Sequence, residues 1–496
     1  VAGDWNGIHL DDNIGAGTVF RNVRIEEFSG SQNGGVRLDN PDVPGASRAI
    51  VENCLIQSSD PGSVGAYLAA NARMSSFENN VLDVVSLSVN AALVGFSDVL
   101  RASNTYEAPL RVRSSTATGV DLVWVEPVAS DTSTQPIRPT GNLTVNTGSL
   151  TVSAGTQVQM PLNGQLEVID GQLMVDGNVT DPVVFAPAPG AGYWYRIRLR
   201  GTGGAGVSRI NHAVLDTAGS DPSLGANVAR AALVVEANGG VPATPMVSNT
   251  SVTNSNGYGM VFYDQTDCAG GCNDNTISGS RFSGLRMFAN FIGRFGTGNA
   301  LAGNNTSSTL GHEGVWVVGD TVDVSASWPA NDAPYVVQGD VEVRQATPFD
   351  PVPTMTIEPG AELRFAEDRR LRIGEGGDGL LDAQGTAADP ISFTTIGSTT
   401  PVYWRGIEFS QGSDGSVVDW VEVSYGGRNA NTGNLNFLSG SLVTVGSVTF
   451  THANNYAGVA YAGSGPVFMG PPTDRVYTFN GFDCIRDVAA GTCDPL

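Results

Sequence analysis

The sequence predicts an all-β fold, a parallel β-helix (solenoid) in which each strand stacks on its equivalent one coil later. Two observations predict it. A long segment is written twice, and short runs of alternating apolar and polar residues are punctuated by Gly, Asn, Asp or Pro throughout the chain. Alternation at period two is the signal for strands, and self-similarity is the signature of repeat architectures. No convincing amphipathic helix appears.

The duplicated segment runs from Leu150 to Leu199 and again from Met355 to Phe409. The first copy begins LTVSAGTQVQM, and the second begins MTIEPGAELRF. Asp170-Gly171 matches Asp378-Gly379 at an offset of 208 (378 − 170), and a later Asp-Pro pair keeps the same offset, so no gap intervenes. Shared composition alone does not produce such a match, and we interpret it as a duplication.

A third, partial copy begins near the start of the chain, because Trp5 lies in the same W-x-x-I-x-[LF] pattern as Trp194 and Trp404. We predict three repeat units in one continuous, elongated solenoid: unit A at 1–130, which lacks its opening part, unit B at 131–330, and unit C at 331–496, which lacks its closing part.

Asn residues recur at positions that resemble turns between the strands. Asn tolerates a left-handed backbone there, and its side chain can stack on the equivalent Asn of the next layer. These residues are Asn53, Asn79-Asn80, Asn249, Asn254 and Asn275. Separate β-sandwich domains are the alternative, but few two-residue Asn-Gly or Asp-Gly hairpins join paired runs, which favours the solenoid.

Three motifs carry a resemblance to a known superfamily. IEPGAELRF at 357–365, DAQGTAADPISF at 382–393 and the W-x-G-I-x-F pattern at 404–409 resemble repeats of bacterial secreted proteins with a right-handed parallel β-helix, the pectate-lyase-like superfamily. The resemblance implies the fold and its right hand. It does not imply an activity, since the superfamily contains lyases, glycosidases, adhesins and plain surface proteins.

Charge and hydropathy limit the partners. The chain has no lysine, 26 arginines and 49 acidic residues, for a formal net charge of −23. Such a surface repels nucleic acid and anionic lipid, and no apolar run approaches the roughly 20 residues that span a bilayer. We expect an extracellular or bacterial cell-surface protein, although a GC-rich genome also explains arginine in place of lysine.

The five cysteines fit an exported, oxidised protein better than a zinc protein. Cys268 and Cys272 lie in CAGGC, Cys484 and Cys493 lie near the C-terminus, and both local pairs are candidates for disulfides. Cys54 stands alone in an apolar strand pattern, where we expect a buried thiol.

Two acidic, Gly-rich loops are the candidates for a metal site. Oxygen ligands on flexible backbone suit calcium, the one cofactor that the sequence raises, although solvated acidic loops are the simpler interpretation. The candidate ligands are Asp264, Asp267 and Asp274 around CAGGC, and Glu375 and Asp378 in GEGGDG.

Trp5, Trp194 and Trp404 are candidates for a row of rings that stack on sugars. All three share one slot beside alternating apolar residues, so a structural role at the edge of the coil is the favoured alternative.

No catalytic residues are assigned, because the lysine-free chain lacks any complete lyase or glycosidase motif. The first expectation for function is an extracellular structural or adhesive protein. Because the chain starts inside one copy and stops inside another, copies of it stacking head to tail into filaments are a further hypothesis, with trimmed neighbouring domains as the alternative explanation. The second expectation is a protein that binds or degrades surface carbohydrate.

Overall fold

The computed structural model confirms the predicted all-β fold: short strands form long sheets of parallel strands, compatible with a parallel β-helix. It describes residues 7–494 apart from the segments 11–17, 29–34, 39–47, 59–63, 69–72, 84–85, 91–102, 127–128, 130–132, 202–206, 221–229, 264–265, 269–270, 307–312, 398–402, 430–431, 439, 454, 462, 470–474, 479, 481 and 489.

The chain divides into two compact units. The first comprises Val1–Gly259 and Cys268–Gly271, and the second comprises Met260–Asp267 and Cys272–Leu496. The three repeat units at 1–130, 131–330 and 331–496 stay a prediction about how the chain was duplicated.

The first unit is built from strands of two to six residues. They are β1 (Ile8–Leu10), β2 (Val19–Arg21), β3 (Arg24–Glu26), β4 (Val36–Leu38), β5 (Arg48–Glu52), β6 (Leu55–Gln57), β7 (Val64–Leu68), β8 (Arg73–Glu78), β9 (Val81–Asp83), β10 (Ser86–Asn90), β11 (Thr105–Tyr106), β12 (Leu110–Arg113), β13 (Ser115–Thr118), β14 (Asp121–Trp124), β15 (Ile137–Pro139), β16 (Leu143–Asn146), β17 (Ser149–Ser153), β18 (Gln157–Met160), β19 (Gln165–Ile169), β20 (Gln172–Asp176), β21 (Val183–Pro187), β22 (Arg196–Arg200), β23 (Arg209–Asn211), β24 (Ala213–Asp216), β25 (Ala231–Glu236), β26 (Met246–Ser248) and β27 (Ser251–Thr253).

Strand β28 (Tyr258–Phe262) contains the boundary between the units. The second unit then has two short 3₁₀ helices, η1 (Ala289–Arg294) and η2 (Gln411–Ser413), and the strands β29 (Cys272–Asn273), β30 (Thr276–Ser278), β31 (Leu285–Phe288), β32 (Val315–Val318), β33 (Asp320–Val322), β34 (Ala326–Trp328), β35 (Tyr335–Val337), β36 (Val341–Val343), β37 (Thr354–Ile357), β38 (Glu362–Phe365), β39 (Arg370–Ile373), β40 (Leu380–Gln384), β41 (Ile391–Thr395), β42 (Gly406–Phe409), β43 (Val417–Asp419), β44 (Val421–Ser424), β45 (Gly433–Phe437), β46 (Leu442–Val445), β47 (Val448–Thr451), β48 (Tyr456–Ala460), β49 (Gly465–Phe468), β50 (Arg475–Thr478), β51 (Phe482–Asp487) and β52 (Thr492–Asp494).

Strands that are three apart along most of the chain are neighbours in a sheet, so three strands make one coil. In the second unit this order gives three sheets, which we name F, G and H. Sheet F contains β31, β32, β35, β38, β41, β44, β47 and β50; sheet G contains β33, β36, β39, β42, β45, β48, β51 and β52; sheet H contains β34, β37, β40, β43, β46 and β49. Among the described pairs of strands, β52 is antiparallel to β51, whereas the other pairs are parallel.

The core consists of ladders of like side chains that point inward from successive coils. Trp124, Val152, Val175, Ile210 and Val247 lie in register on neighbouring strands, and each is at most 1% exposed. Apolar area removed from water in this way stabilises a fold by about 25 cal/mol per Å². The alternation of the sequence therefore selects which side of each strand faces the interior.

Several of the Asn positions have the predicted backbone. Asn53, Asn79, Asn249 and Asn254 have φ between 50° and 55°, in the left-handed region that Asn tolerates. Asn80, which follows Asn79, has a different role. It is fully buried, and its Nδ2 donates to Oδ1 of Asn104 at 3.1 Å.

A second buried amide ladder joins Asn275 and Asn299, with 3.0 Å between Nδ2 and Oδ1. The sequence therefore predicted both roles of Asn, and the structure assigns them to different residues. Among the described residues, no helix is long and apolar enough to cross a membrane.

Candidate functional site

The acidic loop around CAGGC does not gather its candidate ligands in the described part of the chain. Asp267 is buried and forms an ion pair with Arg294, whereas Asp274 is exposed. Asp264 lies outside the described residues. The guanidinium of Arg294 pairs with Oδ2 of Asp267, whereas the buried Oδ1 has no hydrogen-bond partner among the described residues.

The second acidic loop is likewise bound to neighbouring protein groups. Glu375 accepts a hydrogen bond from Ser410 at 2.9 Å and lies 3.4 Å from Arg372, and Asp378 is exposed. Across the residues that the structure describes, no three His, Cys, Asp or Glu side chains form a group that could hold a metal ion.

The shared tryptophan slot is interior. Trp194 and Trp404 are both 0% exposed, and each Nε1 donates at 2.8 Å to the carbonyl of a later strand, at Asp216 and Ser424 respectively. A fully buried ring has no face on which a sugar can stack, so neither residue serves the stacking role considered from the sequence. Trp5 lies outside the described residues.

The cysteines separate as the sequence indicated. Cys54 is a buried free thiol, and Cys268, Cys272 and Cys484 are disulfide-bonded. The side chain of Cys493 lies outside the described part.

An aromatic ring that the sequence did not single out is exposed instead. Trp420 stands between β43 and β44, is 42% exposed and has φ of 50°. For a bulky residue a positive φ is an outlier that costs about 1–3 kcal/mol, and such strain concentrates at functional sites.

The tight turn explains why the backbone is left-handed there. Oδ1 of Asp419 accepts from the amide of Trp420 at 2.9 Å and from the amide of Ser447 in the next coil at 2.7 Å. The carbonyl of Trp420 in turn accepts from the amide of Ile391 at 3.1 Å. The turn is therefore bonded to the coils on both sides, which fixes the backbone from which the indole projects.

The duplicated segment contains the same turn with a different residue. His212 occupies the position of Trp420 in the earlier copy, has φ of 47°, and its carbonyl accepts from the amide of Val183 at 3.1 Å. The fold therefore requires a left-handed residue at this position but does not require an indole.

Trp420 borders an open groove with a volume of about 300 Å³, which we call the Trp420 groove. Glu422, Thr449 and Val476 lie in register on β44, β47 and β50, facing outward from sheet F. The described residues that line it are Ala387, Pro390, Trp420, Val421, Glu422, Ser447, Val448, Thr449 and Val476.

The chemistry of the groove is mixed. Apolar surface from the indole, Pro390 and Val476 lies beside one carboxylate and the hydroxyls of Ser447 and Thr449. Clefts with apolar walls and a few converging polar groups are typical of sites for small ligands. This arrangement can stack a ring and hydrogen-bond its substituents.

Comparison of the chain with protein-family models, with curated proteins and with solved structures gave no significant match.

Proposed function

We propose that this chain is an adhesive β-helix protein that binds carbohydrate, and that the Trp420 groove holds a sugar ring. The observation that supports the proposal is the exposed indole at a strained turn, where the other copy of the segment has histidine. A bulky residue in a left-handed turn that forms equally well without it is a candidate for a functional role.

The groove matches the two surfaces of a sugar. The C–H face of a pyranose stacks on an indole, and hydroxyls exchange hydrogen bonds with a carboxylate and with side-chain hydroxyls. Among the described lining residues Glu422 is the one carboxylate, whereas glycoside hydrolysis ordinarily uses two. The proposal is therefore for binding, with degradation of a polysaccharide as the alternative.

Secretion to the cell surface is part of the same proposal. Three disulfide-bonded cysteines support an oxidising compartment. The repeat motifs and the parallel sheets support membership of the bacterial pectate-lyase-like superfamily.

End-to-end assembly into filaments is a separate prediction. The antiparallel strand β52 covers the outer edge of β51, so a second copy would not extend the parallel pairing of sheet G at that edge. Negative-stain electron microscopy with and without a calcium chelator tests it: long uniform filaments support assembly, their loss with chelator supports calcium at the acidic loops, and isolated rods contradict assembly.

Binding of the purified chain to an array of immobilised glycans tests the proposed function. We expect selective binding to a set of neutral glycans that persists in 0.5 M salt, since stacking and hydrogen bonds are screened less than exposed charge pairs. For the glycans that bind best, Trp420→Asn should weaken binding at least tenfold, and His212→Asn, the same change at the equivalent turn, should not. Equal binding by both variants would remove the groove from the proposal, and the release of shortened glycans would favour the enzymatic alternative.

A further inference from the structure

We infer that a second sugar-binding site lies on sheet F, in an open depression of about 290 Å³ that we call the Arg286 pocket. Its lining is Arg286, Trp316, Val318, Gly319, Gln338, Gly339 and Asp340. The site goes beyond the proposed function, because it is formed by different strands from those of the Trp420 groove.

Two of the residues that line this pocket each have a buried polar atom without a hydrogen-bond partner within the described chain. These atoms are Nη1 of Arg286, a donor, and Oδ1 of Asp340, an acceptor. An unsatisfied buried group costs about 1–3 kcal/mol, and each such group in a native structure calls for an explanation. A ligand that both accepts and donates hydrogen bonds supplies it.

Neighbouring groups fix the two charges. The guanidinium of Arg286 lies 5.0 Å from the centre of the Tyr263 ring, and Nε of Arg370 lies 3.2 Å from the other carboxylate oxygen of Asp340. Each charged group is therefore stabilised from one side and keeps one hydrogen-bonding atom that no described residue of the chain uses. Such positioning is what a binding site requires of its polar groups.

Bare backbone forms one wall of the pocket. A Cβ on Gly319 would lie 2.6 Å from Cα of Gly339, and a Cβ on Gly339 would lie 2.7 Å from Cα of Gly319. The backbone segments at Gly319 and Gly339 approach each other too closely for any larger residue at either position. The indole of Trp316 is partly exposed and lies in register beside Arg286, so an aromatic ring adjoins the unsatisfied donor.

The ligand that this chemistry fits is a neutral hexopyranose with adjacent hydroxyls. One hydroxyl accepts from Arg286, its neighbour donates to Asp340, and the C–H face of the ring packs on Trp316. A simple anion would meet the Asp340 carboxylate, and a simple cation would meet the Arg286 guanidinium, so both are disfavoured by like charge.

The pocket is separated from the Trp420 groove along the sheet. Its strand β32 lies four strand steps from β44, which is roughly 19 Å at about 4.8 Å per step. The two sites can therefore be removed independently, and failure of one is distinguishable from failure of the other.

Isothermal titration of methyl glycosides of glucose, galactose and mannose into the Trp420→Asn protein tests the inference. In this variant the Trp420 groove no longer contributes to binding, so the titration reports on the Arg286 pocket. We expect saturable binding of at least one glycoside, weakened at least tenfold by Arg286→Gln and by Asp340→Asn. Arg209→Gln, a change to an ion-paired arginine of the first unit, should leave binding unchanged. Thermal unfolding followed by circular dichroism identifies the variants that fold. If only one of the two pocket variants folds, its titration is sufficient for the test.

Three results would overturn the inference. One is the absence of glycoside binding in the folded Trp420→Asn protein, which leaves the proposed function intact if the unchanged protein binds. Another is binding that neither pocket variant weakens. The third is tighter binding of glycine than of any glycoside, because a zwitterion also satisfies one donor and one acceptor.

Discussion

Arg198 and Glu408 occupy the same place in the two copies of the repeated segment and carry opposite charges. Arg198 lies 3.2 Å from Glu167 on the preceding strand of its sheet, and Glu408 lies 3.0 Å from Arg372 on its own preceding strand. The charges of both partners are reversed together. The position therefore requires complementary charge between coils and not a particular residue.

Reversing one member of either pair should destabilise the fold. Arg198→Glu places a carboxylate beside Glu167 and Glu236, and Glu408→Arg places a guanidinium beside Arg370 and Arg372. Because these side chains are largely buried, we expect each change to lower the free energy of unfolding by about 2 kcal/mol. Urea denaturation measures it.

The matched control is Arg24→Glu, at a side chain that is 62% exposed, which should change stability by less than about 0.5 kcal/mol. Equal effects of all three changes would contradict the interpretation of Arg198 and Glu408 as members of partly buried charge pairs between coils.

Gly171 and Gly379, which follow the matching aspartates of the duplicated motif, should not tolerate a side chain. A Cβ would lie 2.4 Å from the carbonyl oxygen of Gly148 in the first case and 2.1 Å from that of Val343 in the second. We expect alanine at either position to cost about 1–3 kcal/mol, since the neighbouring coil has to shift. Gly465→Ala is the control, because no atom lies within 4 Å of its added Cβ. If thermal unfolding shows that Gly465→Ala destabilises the protein as much as the other two changes, the close packing at Gly171 and Gly379 is contradicted.

Asp216 should make stability depend on acid pH. Burial raises the pKa of its carboxyl, but hydrogen bonds from Thr253, Asn254 and Thr217 outweigh burial and leave the pKa lowered. A pKa lowered by folding stabilises the protein above the unfolded value of about 3.9, and this stabilisation disappears as the pH falls through the folded value. Between pH 7 and pH 2.5, the free energy of unfolding should therefore fall less for Asp216→Asn than for the unchanged protein. Denaturation curves recorded at each pH measure it. An unchanged pH profile would show that the hydrogen bonds do not favour the ionised form.

Trp420→Asn should increase stability, although it removes a large side chain. Asn adopts the left-handed conformation more readily than Trp, so we expect a gain of about 0.5–1 kcal/mol in the free energy of unfolding. His212→Asn relieves the same strain in the other copy and should give a similar gain. A loss of stability in Trp420→Asn alone would mean that the indole packs as a structural residue.

The coil architecture could be predicted from the sequence because its signals are local. Alternation at period two marks the buried side of β17 and its repeat β37, and Asn marks left-handed turns such as Asn53 and Asn249. The ladder between Asn80 and Asn104 joins residues 24 positions apart, so its pairing depends on a coil length that varies along the chain.

The candidate site was harder to predict, for a physical reason. Trp194 and Trp404 were candidates because they occupy the same position in the two copies of the repeat. Both are fully buried, so this repeated position is a structural one. Trp420 lies in a left-handed turn, where the alternation of inward and outward side chains is interrupted. The alternation therefore does not predict whether its side chain faces the core or the solvent. The available signal was a tryptophan where the equivalent turn of the other copy has His212 and other turns have Asn.

The proposed function requires that the Trp420 groove binds a sugar. Its most direct test is isothermal titration of the glycan that binds best on the array into the unchanged protein, Trp420→Asn and His212→Asn. We expect saturable binding by the unchanged protein and by His212→Asn, and a loss of at least tenfold in affinity for the folded Trp420→Asn protein. Undiminished affinity in Trp420→Asn would contradict it.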